Sequence, residues 1–407
     1  MPRPPATARL AFHSSSATAG NGPPRYSAHS QDSNLFRFIP VIPKISSVKS
    51  TLFLREDPPE PRLASYAALS EIGSGPITPT CMPASVSPRT SPSLDECTRE
   101  FASDVRTDLT KPQKELHSKY LYDELGSVLF EAITHLPEYG VTRADERLLR
   151  MHARDIASLI PETAAVIELG SGTGRKTRYI LNALRRVDRM PRYFPIDVSR
   201  EALGRCQREL ADIADVRPLE YSYLDGIARA AIHSGPRQPW LVLFLGSTIG
   251  NFERSRAVEF LRDLREWLVP GDALLIGADL VKDRDRMLLA YDDPTGVTSA
   301  FNLNLLGRIN RQLGADFDLT KFKHEARWND SERRIEMHLR SQVDQSAFIA
   351  EADFTARFHA GETIWTESSH KFHSHEMFEI AGQSGFRVRE QWVDSEWPFV
   401  ESLWTVS

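Results

Sequence analysis

From about residue 97 the chain alternates apolar and polar positions with two distinct periods, and the switches between them mark its elements. Phe101, Val105, Leu109 and Leu116 recur at near-helical spacing and predict a helical opening that leads into Lys119–Ser127. Val128, Leu129, Ala132 and Ile133 predict a short amphipathic helix stopped by Pro137. A third helix is predicted with Thr142 as N-cap, Asp145 and Glu146 in its first turn, and Leu148, Leu149, His152 and Ile156 as its apolar stripe. From residue 165 short apolar runs alternate with helical patterns. Strands are predicted at 165–169, 193–198, 218–223, 239–245 and 272–279, and helices at 176–186, 200–213 and 254–268.

That alternation implies an α/β fold with a doubly wound, Rossmann-like parallel sheet whose ligands lie at the C-terminal strand ends. After residue 280 the order breaks: 285–315 has helical periodicity, and 322–372 contains several period-2 runs. The organisation expected is a disordered extension (1–95), the N-terminal helical part of a substrate domain (96–150), a cofactor-binding Rossmann-like domain (151–281), a substrate-binding α+β insertion (282–372), and a return to the sheet (373–407). In that last part 385–406 is expected to close the sheet as an antiparallel hairpin.

Composition narrows the picture. The first 95 residues hold 15 of the 26 prolines and no sustained periodicity, too little apolar surface to offset chain entropy. Residues 1–50 carry six Lys or Arg against one acid, Asp32, a transit-peptide-like composition without a clear amphipathic helix. A net charge of −5 leaves no footprint for nucleic acid, and the three cysteines are too scattered for a disulfide framework or a zinc site. The longest apolar run, Trp240–Leu245, is far below the roughly 20 residues of a membrane span. A cytoplasmic monomer acting on a small molecule, without nucleic acid, membrane or metal, is expected.

The chemistry concentrates after the first predicted strand, in Glu168-Leu-Gly170-Ser-Gly172-Thr-Gly174-Arg-Lys176. Strand, Gly turn and helix start bring backbone N–H groups close to a ligand, because Gly has no Cβ to block the approach. Arg175 stands where a P-loop needs Gly before its Lys, and also where the dinucleotide fingerprint needs its last Gly. What remains is the Glu-x-Gly-x-Gly-x-Gly form typical of S-adenosylmethionine-dependent methyltransferases, with the loop against the amino-acid part of the cofactor. Asp197 ends the second strand, placed either to accept ribose hydroxyls or to cap the following helix. Asp225-Gly226 ends the third, as an adenine contact or a plain turn. Asn251, in a Gly-Asn turn after the fourth strand, would on that fact alone be structural.

Longer motifs join these. Lys119-Tyr-Leu-Tyr122-Asp-Glu-Leu-Gly-Ser127, Leu136-Pro-Glu-Tyr139, Gly246-Ser-Thr-Ile-Gly-Asn251, Ala290-Tyr-Asp-Asp-Pro-Thr-Gly-Val-Thr298 and Ile335-Glu-Met337 resemble the histidine-specific Nα-methyltransferase family from about residue 100 to 407. That family makes trimethylhistidine, the precursor of ergothioneine. The resemblance implies S-adenosylmethionine bound by Gly170, Gly172, Gly174, Lys176, Asp197, Asp225 and Gly226. It places the substrate carboxylate and amino group on Asn251, Tyr139 and Tyr291, the imidazole on Glu367 and Ser369 with Met337 against it, Thr298 in the same pocket, and Tyr122 at the reacting amine. On a strand Glu367 and Ser369 project from one face. Gly140, where family members often carry a second Tyr, is expected to loosen a lid over the substrate. In-line transfer to a neutral amine depends on positioning and on excluding water, and the rings of Tyr122 and Tyr139 suit the cationic product. Another amine methyltransferase on the same fold, or a non-catalytic cofactor-binding module, are the competing readings. No Asn/Asp-Pro-Pro-Tyr run of base or amide methyltransferases follows the fourth strand.

Overall fold

The computed structural model describes residues 94–406 apart from 163, 187, 188 and 234–237. The expected extension therefore lies outside the described residues, except for Leu94 and Asp95, which open the first helix.

In chain order the elements begin with α1 (Leu94–Leu109), β1 (Lys114–Glu115), α2 (Glu124–Thr134), α3 (Val141–Ser158) and β2 (Ala165–Leu169). They continue with α4 (Arg178–Leu184), β3 (Arg192–Asp197), α5 (Arg200–Leu210), β4 (Asp215–Val216), β5 (Leu219–Glu220), α6 (Tyr223–His233) and β6 (Trp240–Phe244). Next come α7 (Arg254–Glu266), β7 (Ala273–Asp279), α8 (Arg284–Tyr291), α9 (Val297–Leu313), β8 (Phe322–Asn329) and β9 (Arg334–Ser341). The chain closes with β10 (Gln345–Ile349), β11 (Phe354–Phe358), β12 (Thr363–His370), α10 (Glu376–Gln383), β13 (Phe386–Asp394) and β14 (Phe399–Val406).

The main sheet runs β13-β14-β7-β6-β2-β3-β4, with β5 also on β3. Its centre is parallel, and the β13–β14 hairpin joins β7 antiparallel as expected. Both faces are covered, which is why the central strands are apolar without alternation. Ala165, Ile167 and Leu169 share one core with Val242, Phe244 and Leu261, while Val166 packs in another with Ile156, Ile180 and Leu243.

A second sheet, β1-β12-β9-β8, and the β10–β11 hairpin pack with α1, α2, α8 and α9. The N-terminal helices share this core: Phe101, Val105 and Leu121 lie with Leu305, Met337 and Ile364, and β1 pairs parallel with β12. Helix α3 serves both halves, giving Ala144 and Leu148 to this core and Leu149, Ala153 and Ile156 to the main sheet. One helix thereby joins the two cores.

Several expectations change. Helix α3 is entered from Gly140, because the buried Val141 and Ala144 carry its apolar stripe further back; Thr142 is not the cap. Of the strand expected at 218–223 only β5 (Leu219–Glu220) forms, because Pro218 has no N–H for the ladder and Tyr223 starts α6; β4 (Asp215–Val216) lies before the expected run. The helical run 285–315 is broken at Asp292–Gly296, where Asp293 accepts the N–H groups of Val297 and Thr298. Helix α10 had no counterpart in the periodicity.

Candidate active site

At the end of β2 Gly170, Gly172 and Gly174 all take positive φ, +71°, +53° and +67°, which only Gly adopts without strain. Their surroundings differ. A Cβ on Gly174 would stand 2.6 Å from Cys206 Sγ, so that glycine seats α5 against the loop. A Cβ on Gly172 would meet nothing within 4 Å, so the space above it is open to a ligand. The neighbouring Ser171 Oγ is buried without a protein partner. Glu168, below the loop, accepts from Thr177 Oγ1 at 2.6 Å and from Tyr193, and burial pushes its carboxyl up to about 7 against those two hydrogen bonds.

Asp197 accepts Gly172 N–H through Oδ2 and Ser199 N–H through Oδ1, each at 2.9 Å. It pins the Gly turn and begins α5, where Ser199 rather than Asp197 caps the helix through its side chain. A carboxylate has about four acceptor positions, so capacity for two hydroxyls remains. Asp225 is not at a strand end but exposed in the first turn of α6, accepting from Ser222 Oγ at 2.7 Å. Gly226 is buried, and a Cβ there would stand 2.8 Å from Ile196 Cδ1, so its smallness serves the packing of α6 on β3.

Lys176 ion-pairs with Asp145, a fully buried residue of α3 that also accepts Gly246 N–H at 2.9 Å. The sequence expectation for Asp145 is a place in the first turn of α3, without a partner across the fold. Behind it both oxygens of Glu401 and Asp145 Oδ1 lack a protein donor, and burial followed by the charge of Asp145 drives the Glu401 carboxyl well up. Burial beside Asp145 thus favours the neutral form of Glu401. Asp145 holds the lysine at the mouth of the loop.

The second half of the site is built on β12. A β-bulge between Trp365 and Glu367 changes the parity of the strand. Ile364 pairs with Leu339, Glu367 with Met337 and Ser369 with Ile335, so these side chains share the inward face. Without the extra residue Ile364 and Glu367, three apart, would face opposite ways. Tyr122 Oη and Asn251 Nδ2 both donate to Glu367 Oε1 at 3.4 Å. Burial raises the Glu367 carboxyl to about 7, opposed by the Tyr122 hydrogen bond and the charge of Lys371.

Asn251 arrives on a 3-10 turn (Thr248–Asn251) entered through Ser247, whose φ of 61° is unusual for a residue with a side chain. The conformation is held by Ser247 Oγ, which accepts the Asp279 N–H at 2.9 Å, and by Gly250, where a Cβ would stand 2.9 Å from the His370 carbonyl oxygen. A cavity of about 390 Å³, lined among others by Glu115, Asn251, Trp365 and Glu367, opens beside this pair.

Tyr291 Oη and Ser369 Oγ are 2.8 Å apart. Tyr291 and Tyr139 meet edge to face at 5.9 Å, Tyr139 and Phe130 at 6.5 Å, and Tyr122 touches Phe130 and Phe301 at 5.5 and 5.6 Å. These rings form an aromatic wall opposite Glu367. Burial raises the phenols of Tyr122, Tyr139 and Tyr291, so all three are neutral donors. Met337 is buried in the same core. Thr298 N–H donates to Asp293 at 2.7 Å at the start of α9, and its Oγ1 is buried without a protein partner.

Gly140 does not loosen a lid. A Cβ there would overlap the Trp397 ring, whose Nε1 donates to Asp279 at 2.9 Å, so this glycine is required by packing. The residues not foreseen are Lys371, Asp279, Lys282, Asp145 and Glu401, together with Phe130 and Phe301. Asp279 had a signal, an acid ending an apolar strand as Asp197 does. The others had none, because their partners are distant in sequence.

A family model described as histidine-specific methyltransferase, SAM-dependent, matches residues 101–406. The chain is 41% identical over 313 residues to the histidine N-alpha-methyltransferase of Mycolicibacterium smegmatis, covering 76% of this chain and 96% of that protein. The corresponding protein of Mycobacterium tuberculosis is 42% identical over 305 residues, covering 74% and 93%. Ergothioneine biosynthesis protein 1 of Neurospora crassa is 38% identical over 213 residues, covering 51% of this chain and 24% of that protein.

Proposed function

This chain belongs to the histidine-specific, S-adenosylmethionine-dependent methyltransferase family, and on that premise we propose how its residues methylate the α-nitrogen of L-histidine. S-adenosylmethionine supplies an electrophilic methyl group on a sulfonium centre. The open space at Gly172 and the unpartnered Ser171 Oγ fit such a ligand. Gly170 and Gly172 offer backbone approach, Asp197 accepts the ribose hydroxyls, Lys176 meets the carboxylate end, and Asp225 lies toward the adenine.

The observation that carries the reading is the convergence of Asn251 and Tyr122 on Glu367, with Ser369 and Tyr291 joined beside them. In this assignment Glu367 accepts the ring N–H, and Ser369 donates to the other ring nitrogen. Met337 supports the ring face. Asn251, Tyr139 and Tyr291 hold the amino and carboxylate groups, fixing the α-nitrogen for in-line attack. No strong base is assigned: the walls exclude water during each transfer, and the amine passes its proton to bulk water between transfers, as the spent cofactor is exchanged. The faces of Tyr122, Tyr139 and Phe130 favour the growing ammonium, which suits addition of up to three methyl groups.

Mass spectrometry of products from purified protein and an amino-acid panel tests this. Histidine is expected to gain up to 42 mass units, about 14 for each methyl group (a proton replaced by CH₃) on its α-nitrogen. In Glu367→Ala the preference for histidine over phenylalanine should collapse, since a site built to hydrogen-bond its substrate discriminates strongly through those bonds. Retained preference would remove Glu367 from the assignment.

A further inference from the structure

Lys371 is fully buried at the end of β12, and nothing in the assignment above uses it. Its Nζ stands 3.0 Å from Asp279 Oδ2 and donates to Tyr291 Oη and to Ser369 Oγ, both at 2.8 Å. Pairing with Asp279 Oδ2 accounts for only part of its contacts, because the carboxylate has other partners at Oδ1. Lys282 Nζ already pairs with Asp279 at 2.6 Å, and Trp397 Nε1 donates to the same carboxylate. Two ammonium groups thus face one carboxylate in a dry region, an arrangement costly to maintain without a use.

We propose that Lys371 is a positioning residue that sets Tyr291 and Ser369 as proton donors toward the substrate, so that the pocket demands lone pairs there: a carboxylate and an unprotonated ring nitrogen. The argument is one of hydrogen count. An ammonium has three protons and no lone pair, so each hydroxyl can only accept from it. A hydroxyl that has accepted must turn its single proton elsewhere. In the substrate-free site one of the two protons is taken by the Tyr291–Ser369 contact; a bound acceptor replaces that contact. The same charge favours the ionised form of Glu367. Lys371 therefore orders the polarity of the pocket, with Glu367 as acceptor and Ser369 and Tyr291 as donors. A ring with one N–H and one bare nitrogen matches that order, and imidazolium or an all-carbon ring does not.

The inference rests on the histidine reading above, and one experiment separates the two. Lys371→Met keeps the apolar stem and leaves Asp279 paired with Lys282 and Trp397. Turnover of histidine is compared with that of a pyrrolylalanine, which keeps a ring N–H but replaces the bare nitrogen by C–H. In K371M the kcat/KM for histidine is expected to fall roughly 10–100-fold, chiefly through KM, the loss of one or two well-placed hydrogen bonds. Pyrrolylalanine shares the carboxylate that Tyr291 serves but lacks the ring nitrogen that Ser369 serves, so its turnover should fall less and the ratio should drop. Calorimetric affinity for S-adenosylhomocysteine should be unchanged. Ser369→Ala should lower the ratio likewise, and K371M combined with S369A should lower the ratio no further than S369A alone. If K371M lacks a cooperative thermal transition, Lys371→Leu takes its place with the same expectation. An unchanged ratio in the Lys371 variant, or a further fall of the ratio in the double variant, would overturn the proposal. Absence of histidine turnover in the wild-type protein would instead sink the histidine reading itself.

Discussion

The indole of Trp397 lies directly on Gly140, so close that a Cβ at residue 140 would stand 2.8 Å from Cζ3 and nearer still to other ring atoms. Because Trp397 also donates to Asp279, which in turn faces Lys371, the entry to α3 and the substrate-side charge network are one packed unit.

Gly140→Ala is therefore expected to destabilise the protein by about 1–3 kcal/mol, the usual cost of overpacking a filled core. The backbone at Gly140 has an ordinary φ of −78°, so the cost is steric and not conformational. Urea unfolding checks it. An unchanged midpoint would mean that Trp397 moves aside freely.

The burial of Glu401 beside Asp145, which favours its neutral form, gives two different expectations for similar changes. Glu401→Gln keeps a donor toward Asp145 and should cost less than about 1 kcal/mol. Asp145→Asn leaves Lys176 without its charge partner in a buried place and should cost about 3–5 kcal/mol. Denaturation of both variants at neutral pH measures the contrast, and equal costs would show that Glu401 is not the protonated member.

Glu367 sets a pH dependence. Its carboxyl titrates at about 7, raised from 4.5 by burial against the Tyr122 hydrogen bond and the charge of Lys371. A carboxyl whose pKa is higher folded than unfolded binds its proton more tightly in the folded state. Its stabilisation is complete below about 4.5 and is lost as pH rises through about 7. Glu367→Gln has no such titration. Between pH about 4.5 and about 8, without substrate, unfolding free energies should shift in favour of the variant by about 1–3 kcal/mol. A constant difference across that range would mean that Glu367 is ionised throughout.

Asp197→Ala should weaken S-adenosylhomocysteine binding roughly 10–100-fold, through lost ribose contacts and a freed Gly172 turn. Asp197→Asn keeps one acceptor oxygen, which serves either Gly172 or Ser199, and should fall between wild type and alanine. Calorimetry distinguishes these. Identical affinities in all three proteins would leave Asp197 a loop residue alone.

Most of the main sheet was legible in the chain. Strand β2 falls on the expected residues, and β3, β6 and β7 differ from expectation by a residue or so at their ends. Local rules suffice there, because a strand buried on both faces must be a short apolar run and its Gly turn must carry positive φ. The pair Glu367 and Ser369 came from the family resemblance, and their shared strand face followed from standing two apart.

What the chain alone does not reveal is everything that depends on distant partners. Which way Glu367 points follows from a bulge whose register is set by β9, some 30 residues earlier. Asp145 looks like a helix-entry acid until Lys176, Gly246 and Glu401 close around it. Lys371 looks like a surface lysine until Asp279, Tyr291 and Ser369 take it out of water. Periodicity and turn chemistry act over a few residues and determined the elements and the cofactor loop. Burial and charge pairing act across the fold, so only the tertiary structure decided which polar side chains are neutral, which are charged, and which face the substrate.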